Sequence, residues 1–223
     1  MKILFKFPTK GRPERFFEAL NSIYENIINK IDFFVLVTCA DYDLSMNNNE
    51  VINKINSYEN IEVRFGENIN KVQAVNRELD KEGVWKDFDI LICMSDDMRF
   101  IFYGFDDIIR TEFSDKDFDK LLHIPDQDAK EHLATMYIAG KTYFNRFGYI
   151  YHPSYKSLWC DNEVQDIAKK LNKYKYSPYP GIIKHLNPAY GHLPRDPLFD
   201  LDQSYWQEDE KNYNYRKSNN FFL

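Results

Sequence analysis

At 223 residues the chain has room for one domain of ordinary size, with a core buried to roughly 70%, and not for two full domains. Its 43% hydrophobic, 17% aromatic and 29% charged residues are those of a globular protein and exclude the disordered and fibrous classes. A formal net charge of −6 gives no general attraction to nucleic acid or anionic membrane, no stretch approaches the ~18 apolar residues of a membrane span, and three scattered cysteines (Cys39, Cys93, Cys160) encode neither a disulfide framework nor a cysteine zinc site.

In chain order, residues 3 to 8 form a short apolar run, interrupted too soon by Pro8 to be the apolar region of a secretory leader. A first strand and a reducing, cytoplasmic compartment are the expectations. Thr9-Lys10-Gly11-Arg12-Pro13 follows, with Pro13 well placed in the first turn of a helix. From there Phe16, Phe17, Leu20, Ile23, Tyr24, Ile27, Ile28 and Ile31 repeat at helical spacing. Residues 33 to 40 are a continuous apolar run of strand length, suited to burial on both faces. Residues 51 to 58 read as a short helix after the turn tract Asn47-Asn48-Asn49, 61 to 65 as a third strand, 71 to 81 as a helix with Val72, Val75 and Leu79 on one side, and 89 to 94 as a fourth strand ending in Ser95-Asp96-Asp97. This alternation predicts parallel pairing with right-handed crossovers.

The second half is less regular. Residues 134 to 151 mix strand and helix signals around Gly140 and Gly148, 161 to 172 read as a helix, and 174 to 186 as one or two short strands broken by Pro178, Pro180 and Gly181. The tail from Pro188 is rich in Pro, Asp, Tyr and Asn. The predicted fold is a single α/β domain with a central, mostly parallel sheet flanked by helices.

Chemistry is suggested by where acids fall relative to the strands. Asp41 follows the second strand, and Asp96 and Asp97 follow the fourth. A parallel sheet brings all three to the edge where such folds bind ligands. Adjacent carboxylates there repel unless a cation or hydrogen-bond donors intervene, and hard oxygen ligands suit Mg²⁺ or Mn²⁺ bridging to a diphosphate. Taken alone, Asp96-Asp97 reads equally as a pair of solvated turn carboxylates.

Pro8 to Pro13, Asp41, the run from Asn68 to Leu79 containing Lys71, and Ser95-Asp96-Asp97 occur in an order that resembles inverting nucleotide-sugar glycosyltransferases of the GT-A fold, family 2 and its relatives. The segment from Lys141 to Pro153 resembles the stretch before that family's acceptor site, Trp159-Cys160-Asp161-Asn162-Glu163 its catalytic-base motif, and His192 lies where a late metal-binding histidine is found. The resemblance implies that Thr9, Arg12, Asp41 and Lys71 border the nucleotide, Asp96 reaches the ribose, and Asp97 with His192 holds the metal. Asp161 is the implied general base, with Glu163 left open beside it and His185 left open beside His192. Ser95 stands where the family's D-x-D motif has its first carboxylate.

The resemblance divides the chain into a nucleotide-sugar half (1–98), an acceptor half (99–195) and a tail (196–223) that is a candidate lid. It implies transfer from a nucleoside diphosphate sugar, UDP before GDP, using Mn²⁺ or Mg²⁺. The acceptor is open among a glycan, a protein, a small molecule and a modified nucleobase. A nucleotidyltransferase of related architecture, or a non-catalytic nucleotide- or glycan-binding module, is the alternative. The segment from Pro8 to Pro13 is a poor version of the glycine-rich phosphate loop that a nucleotidyltransferase uses.

Overall fold

In the computed structural model, which describes residues 1–83, 86–179 and 181–223, the first half alternates β1 (Ile3–Pro8), α1 (Pro13–Asn26), β2 (Phe33–Ala40), α2 (Asn49–Ile55), β3 (Ile61–Gly66), α3 (Lys71–Asn76) and β4 (Ile90–Cys93). The strands lie in the order β3-β2-β1-β4 and every pairing is parallel. Their carboxyl ends therefore share one edge. The continuous apolar runs are explained by burial on both faces. Phe5, Phe7, Val35, Val37, Ile90 and Ile92 face the layer containing α1, while Leu4, Leu36, Leu91 and Cys93 face the layer containing α3 and α6.

The second half comprises β5 (Met98–Phe100), α4 (Phe105–Glu112), β6 (Leu121–His123), β7 (Ile138–Gly140), α5 (Lys141–Asn145), α6 (Cys160–Lys170), β8 (Tyr174–Tyr176), β9 (Ile183–His185), α7 (Pro197–Ser204) and α8 (Trp206–Ser218). β7 joins β4 antiparallel, β6 joins β7 antiparallel and β8 joins β6 parallel, giving one seven-stranded sheet, β3-β2-β1-β4-β7-β6-β8. The chain is thus a single α/β domain with a mostly parallel central sheet flanked by helices. β7 enters the sheet beside Phe118, whose carbonyl oxygen lies 2.2 Å from where a Cβ on Gly140 would sit, so only glycine fits there. β5 and β9 form a separate antiparallel ribbon in which Met98 pairs with His185. Among the described residues no helix is long and apolar enough to cross a membrane. The three cysteines are buried and free.

Several predicted elements end elsewhere. α1 stops at Asn26 because the Asp106 carboxylate takes the next amides, Ile28 N–H at 2.9 Å and Asn29 N–H at 3.1 Å, leaving Ile31 84% exposed. α3 stops at Asn76, whose side chain instead holds the 150–151 backbone, accepting Ile150 N–H at 3.0 Å and donating to Tyr151 O at 2.6 Å. The asparagine tract is a helix start as well as a turn, since Asn48 accepts Val51 N–H at 3.0 Å and caps α2. The broken segment from 174 to 186 resolves into β8 and β9; Pro180, one of its predicted breakers, lies outside the described residues. The tail, with no predicted element, is mainly α7 and α8.

Lys6 sits fully buried in β1 and donates to Thr38 Oγ1, which in turn donates to Ala74 O at 2.9 Å. Burial pushes its pKa down from 10.5 to about 7. The unfolded chain therefore binds one more proton than the folded chain between about pH 7 and 10.5, and stability rises with pH across that window. Replacing Lys6 with Met keeps the volume and leaves Thr38 its bond to Ala74. Lys6→Met is expected to be more stable than wild type at pH 6.5, with an advantage that shrinks as pH rises toward 10; urea midpoints at pH 6.5, 8 and 9.5 measure it. A constant difference across the three would contradict the buried-amine account.

Candidate functional site

The loops after β1 and β4, the starts of α3 and α6, the end of β9, and α7 enclose a cavity of about 550 Å³. Its floor is the end of β4. Ser95 Oγ donates to Asp97 Oδ1 at 2.5 Å, so the hydroxyl at the first motif position orients the carboxylate at the third. The β5–β9 ribbon sets His185 against that carboxylate, with His185 Nε2 3.5 Å from Asp97 Oδ2. On its other side, His185 Nδ1 lies 3.1 Å from Asp126 Oδ2. Burial opposes charge on all three groups, but mutual hydrogen bonding wins. Asp97 and Asp126 are held well below the usual carboxylate range and His185 is pushed up to about 9.

A second ion-pair chain forms one wall. Arg12 Nη1 donates to Asp96 Oδ1 at 3.0 Å, while its Nε and Nη2 grip both oxygens of Asp196 at 2.8 and 2.6 Å. Asp196 also caps α7 by accepting Phe199 N–H at 2.8 Å, so this pair ties the tail to the β1 loop. Burial raises Asp96 to about 6 against the pull of Arg12. Thr9 Oγ1, also at the wall, is buried with no partner among the described residues. Lys71, at the N-terminus of α3, opens onto the cavity. Burial opposes its charge, and the carboxylates of Asp202, Asp97 and Asp161 outweigh it and keep the ammonium protonated.

Asp161 lines the cavity from the first turn of α6, accepts Asn162 N–H at 2.9 Å, and has its pKa raised by burial. Glu163, one helical turn from the same start, is elsewhere. Its carboxylate is 2% exposed, accepts Arg216 Nε at 2.7 Å and Nη2 at 2.9 Å from α8, and accepts the Tyr155 hydroxyl at 2.7 Å. The expectation that Glu163 shares the base position is corrected: it bolts α8 to α6. Asp209 of α8 completes the joint by accepting the amides of Lys156, Ser157 and Leu158 at 3.0, 2.9 and 2.8 Å. The next residue, Trp159, is thereby held at φ 62, a left-handed conformation that costs a bulky residue on the order of 1–3 kcal/mol. Its ring packs on Trp206 and Tyr213, with centroids 5.3 and 5.2 Å away.

Thr9, Arg12, Lys71, Asp96, Asp97 and Asp161 therefore meet at one cavity. Besides Glu163, two predicted residues do not. Asp41 is exposed and outside the lining; Tyr42 reaches the cavity in its place, and the buried carboxylate near the β1 loop is Asp43, which accepts Gly11 N–H at 2.7 Å. His192 also lies outside the lining, with Nε2 2.9 Å from Asp128 Oδ2, and the histidine beside Asp97 is His185. Asp126 was not singled out from sequence. Its only local signal is an Asp two and three residues before the amides it accepts, Asp128 N–H at 2.9 Å and Ala129 N–H at 2.6 Å.

Mn²⁺ and Mg²⁺ take carboxylate oxygen, Mn²⁺ also takes imidazole, and both leave positions for phosphate oxygens and water. Asp97 and His185 offer one donor of each kind. No group of three or more His, Cys, Asp or Glu side chains able to hold a cation occurs among the described residues. The pair thus fits a cation that completes its shell from a bound diphosphate, and not a cation caged by protein alone.

The sequence matches no family model and no curated protein. Solved structures do resemble it. The mannosyltransferase PcManGT from Pyrobaculum calidifontis, in complex with GDP-Man and Mn²⁺, superposes with a TM-score of 0.67 at 13% identity over 86% of this chain and 58% of that one. S. aureus TarS 1-349 gives a TM-score of 0.63 at 14% identity over 83% of this chain and 60% of that one. The same protein in complex with UDP-GlcNAc gives 0.62 at 14% identity, over 82% and 58%. The chain shares the fold of these glycosyltransferases and spans about 60% of the length of the TarS fragment.

Removing Arg216 strands the Glu163 carboxylate in the core. Arg216→Met is expected to cost about 3–5 kcal/mol, whereas the double variant with Glu163→Leu recovers most of the loss. Urea unfolding of the two variants and wild type measures both, and a near-neutral single variant would contradict the joint.

Proposed function

We propose that this chain is a GT-A-type glycosyltransferase that moves a sugar from a nucleoside diphosphate sugar to an acceptor hydroxyl, with inversion and with Mn²⁺ or Mg²⁺. The observation that carries the reading is the meeting of Asp97 and His185 in a cavity that Arg12, Lys71, Asp96 and Asp161 also line. UDP is the nucleotide to test before GDP; the neighbouring structures include complexes of each kind.

In this reading residues 1–98 supply most of the donor site. Thr9, Arg12 and Asp96 border the nucleoside, and Asp96 takes the ribose. Asp41 has no part, and Tyr42 and Asn68 stand at the wall where a base would lie. Lys71, kept protonated by the surrounding carboxylates, sets a positive charge where the departing diphosphate accumulates negative charge. Asp97 and His185 would hold the divalent cation, which when bound supplies Lewis-acid stabilisation of that leaving group. Residues 99–195 contribute Asp161, which takes the proton of the acceptor hydroxyl as its oxygen attacks the anomeric carbon. The raised pKa of Asp161 strengthens it as a base. With Glu163 enclosed by Arg216, Asp161 serves as base in a single displacement, which inverts the anomeric centre. The tail contributes α7, whose Leu198, Phe199 and Asp202 wall the cavity, as a covering segment, while α8 is anchored.

A thermal-shift panel of UDP, GDP, CDP and dTDP with Mn²⁺, Mg²⁺ or EDTA tests the donor. One nucleotide with metal is expected to stabilise by about 2.7 kcal/mol at 100 times its Kd. Asp97→Ala and His185→Ala should lose the metal-dependent part and His192→Ala should keep it. Asp161→Asn should bind the nucleotide normally yet turn over the donor sugar about 10²–10⁴-fold more slowly. Wild-type metal dependence in Asp97→Ala, or wild-type turnover in Asp161→Asn, would overturn these assignments. The kcat–pH profile should show an acid limb above the usual carboxylate range, set by Asp161 and lost in the Asn variant.

A further inference from the structure

We propose that Asp126 is a positioning residue for the cation site: it fixes the tautomer of His185 so that Nε2 turns a lone pair toward the space beside Asp97. The inference rests on the reading of Asp97 and His185 as the pair that holds the metal. Asp126 belongs to the loop after β6, is 4% exposed, and has all its acceptor directions in use. Oδ1 accepts the amides of Asp128 at 2.9 Å and Ala129 at 2.6 Å; Oδ2 accepts the Thr135 hydroxyl at 2.7 Å and faces His185 Nδ1 at 3.1 Å. An ionised carboxylate has no proton to give, so across that contact the imidazole must be the donor. Without a cation the ring is charged and faces both carboxylates; a cation would displace the Nε2 proton, leaving the ring protonated on Nδ1 and ligating through Nε2, the atom 3.5 Å from Asp97 Oδ2.

The ring has little freedom to escape this arrangement. His185 N–H donates to Gln127 Oε1 at 2.9 Å, and its carbonyl accepts Gln127 Nε2 at 2.5 Å, so the residue beside Asp126 clamps the histidine backbone. Pairing of β9 with β5 fixes the backbone along the strand as well. Asp126 then selects which nitrogen is protonated, a task that the clamp leaves undone.

Replacement by asparagine separates charge and proton from shape. The two amides of Asp128 and Ala129 require an acceptor, so the asparagine oxygen is held on their side and its NH₂ group falls toward Thr135 and His185. There it donates to Nδ1. The ring proton moves to Nε2 and faces Asp97, where it blocks a cation. The turn keeps its hydrogen bonds while the donor and acceptor roles at His185 are exchanged.

The experiment uses the full chain. Free Mn²⁺ is titrated by electron paramagnetic resonance in the presence of UDP for wild type, Asp126→Asn, Asp97→Ala and His185→Ala, with UDP affinity and melting temperature also measured in EDTA. Asp126→Asn is expected to weaken Mn²⁺ binding about 10–100-fold while UDP affinity in EDTA stays at its wild-type value; the melting temperature falls with or without cation, because the variant loses the ion pair with His185. ¹⁵N-histidine spectra of the Zn²⁺–UDP complex, whose diamagnetic cation takes both imidazole and carboxylate, should show His185 protonated at Nδ1 in wild type and at Nε2 in Asp126→Asn. Mn²⁺ affinity of Asp126→Asn within threefold of wild type, with Asp97→Ala impaired, would overturn the role of Asp126 alone. Equal losses of UDP affinity with and without cation would assign Asp126 to structure and likewise overturn it. If Asp97→Ala and His185→Ala also bind Mn²⁺ like wild type, the cation site itself falls. Should Asp126→Asn fail to fold, the wild-type spectrum decides, because a proton on Nε2 there contradicts the proposal.

Discussion

Two hydrogen-bonded strands far apart in the chain, β5 and β9, set the geometry on which the site depends. Asp97 directly precedes β5, His185 ends β9, and the antiparallel pairing of Met98 with His185 places the carboxylate and the imidazole side by side. Leu186 N–H continues the ribbon by donating to Asp97 O at 2.6 Å. Backbone bonds of this kind hold positions far more tightly than side-chain packing, because each residue in the ladder has its φ and ψ fixed by its neighbours. The parallel sheet supplies the other coordinate. β4 ends beside β1, so the loop carrying Arg12 and the loop carrying Asp96 open on the same edge.

Charge balance organises the rest. A carboxylate removed from water is costly unless it is paired, and the buried acids here are paired in ways that differ in purpose. Glu163 is closed by Arg216 and Tyr155 and has no access to the cavity. Asp96 shares Arg12 with Asp196, which couples the donor wall to the first turn of α7. Asp97 and Asp126 share His185. Lys71 stands among Asp202, Asp97 and Asp161, so two acids of the tail, Asp196 and Asp202, face the cavity cations Arg12 and Lys71. The tail behaves as two parts. α8 is bound by Asp209 and Arg216 to the segment that presents Asp161, whereas α7 has no buried residue and covers the cavity.

The site residues legible in the primary structure were those whose position follows from one strand end or one helix start. Asp96 and Asp97 had to follow the fourth strand, and Asp161 had to lie in the first turn of a helix. Residues whose place depends on a distant partner were left open or expected elsewhere. Glu163 and Asp161 share a helix start, and only Arg216 in α8 separates the one facing the core from the one facing the cavity. His185 ends the last strand and His192 lies seven residues beyond it, and pairing with β5 sets the former beside Asp97. Asp41 was expected at the edge because it follows β2, yet the turn after that strand exposes it and buries Asp43 against the amide of Gly11.

The sequence by itself determined the layered α/β architecture, the parallel β3-β2-β1-β4 half and the edge at which a ligand would lie, because continuous apolar runs and helical stripes are local patterns that state which faces must be buried. It did not determine α1's true end, the two tail helices, or the identity of the histidine beside Asp97. Those were decided by tertiary structure alone. The Asp106 carboxylate that takes the amides beyond α1, a buried ion pair between α6 and α8, and a ribbon joining β5 to β9 each need two segments whose encounter leaves no periodic trace in either one.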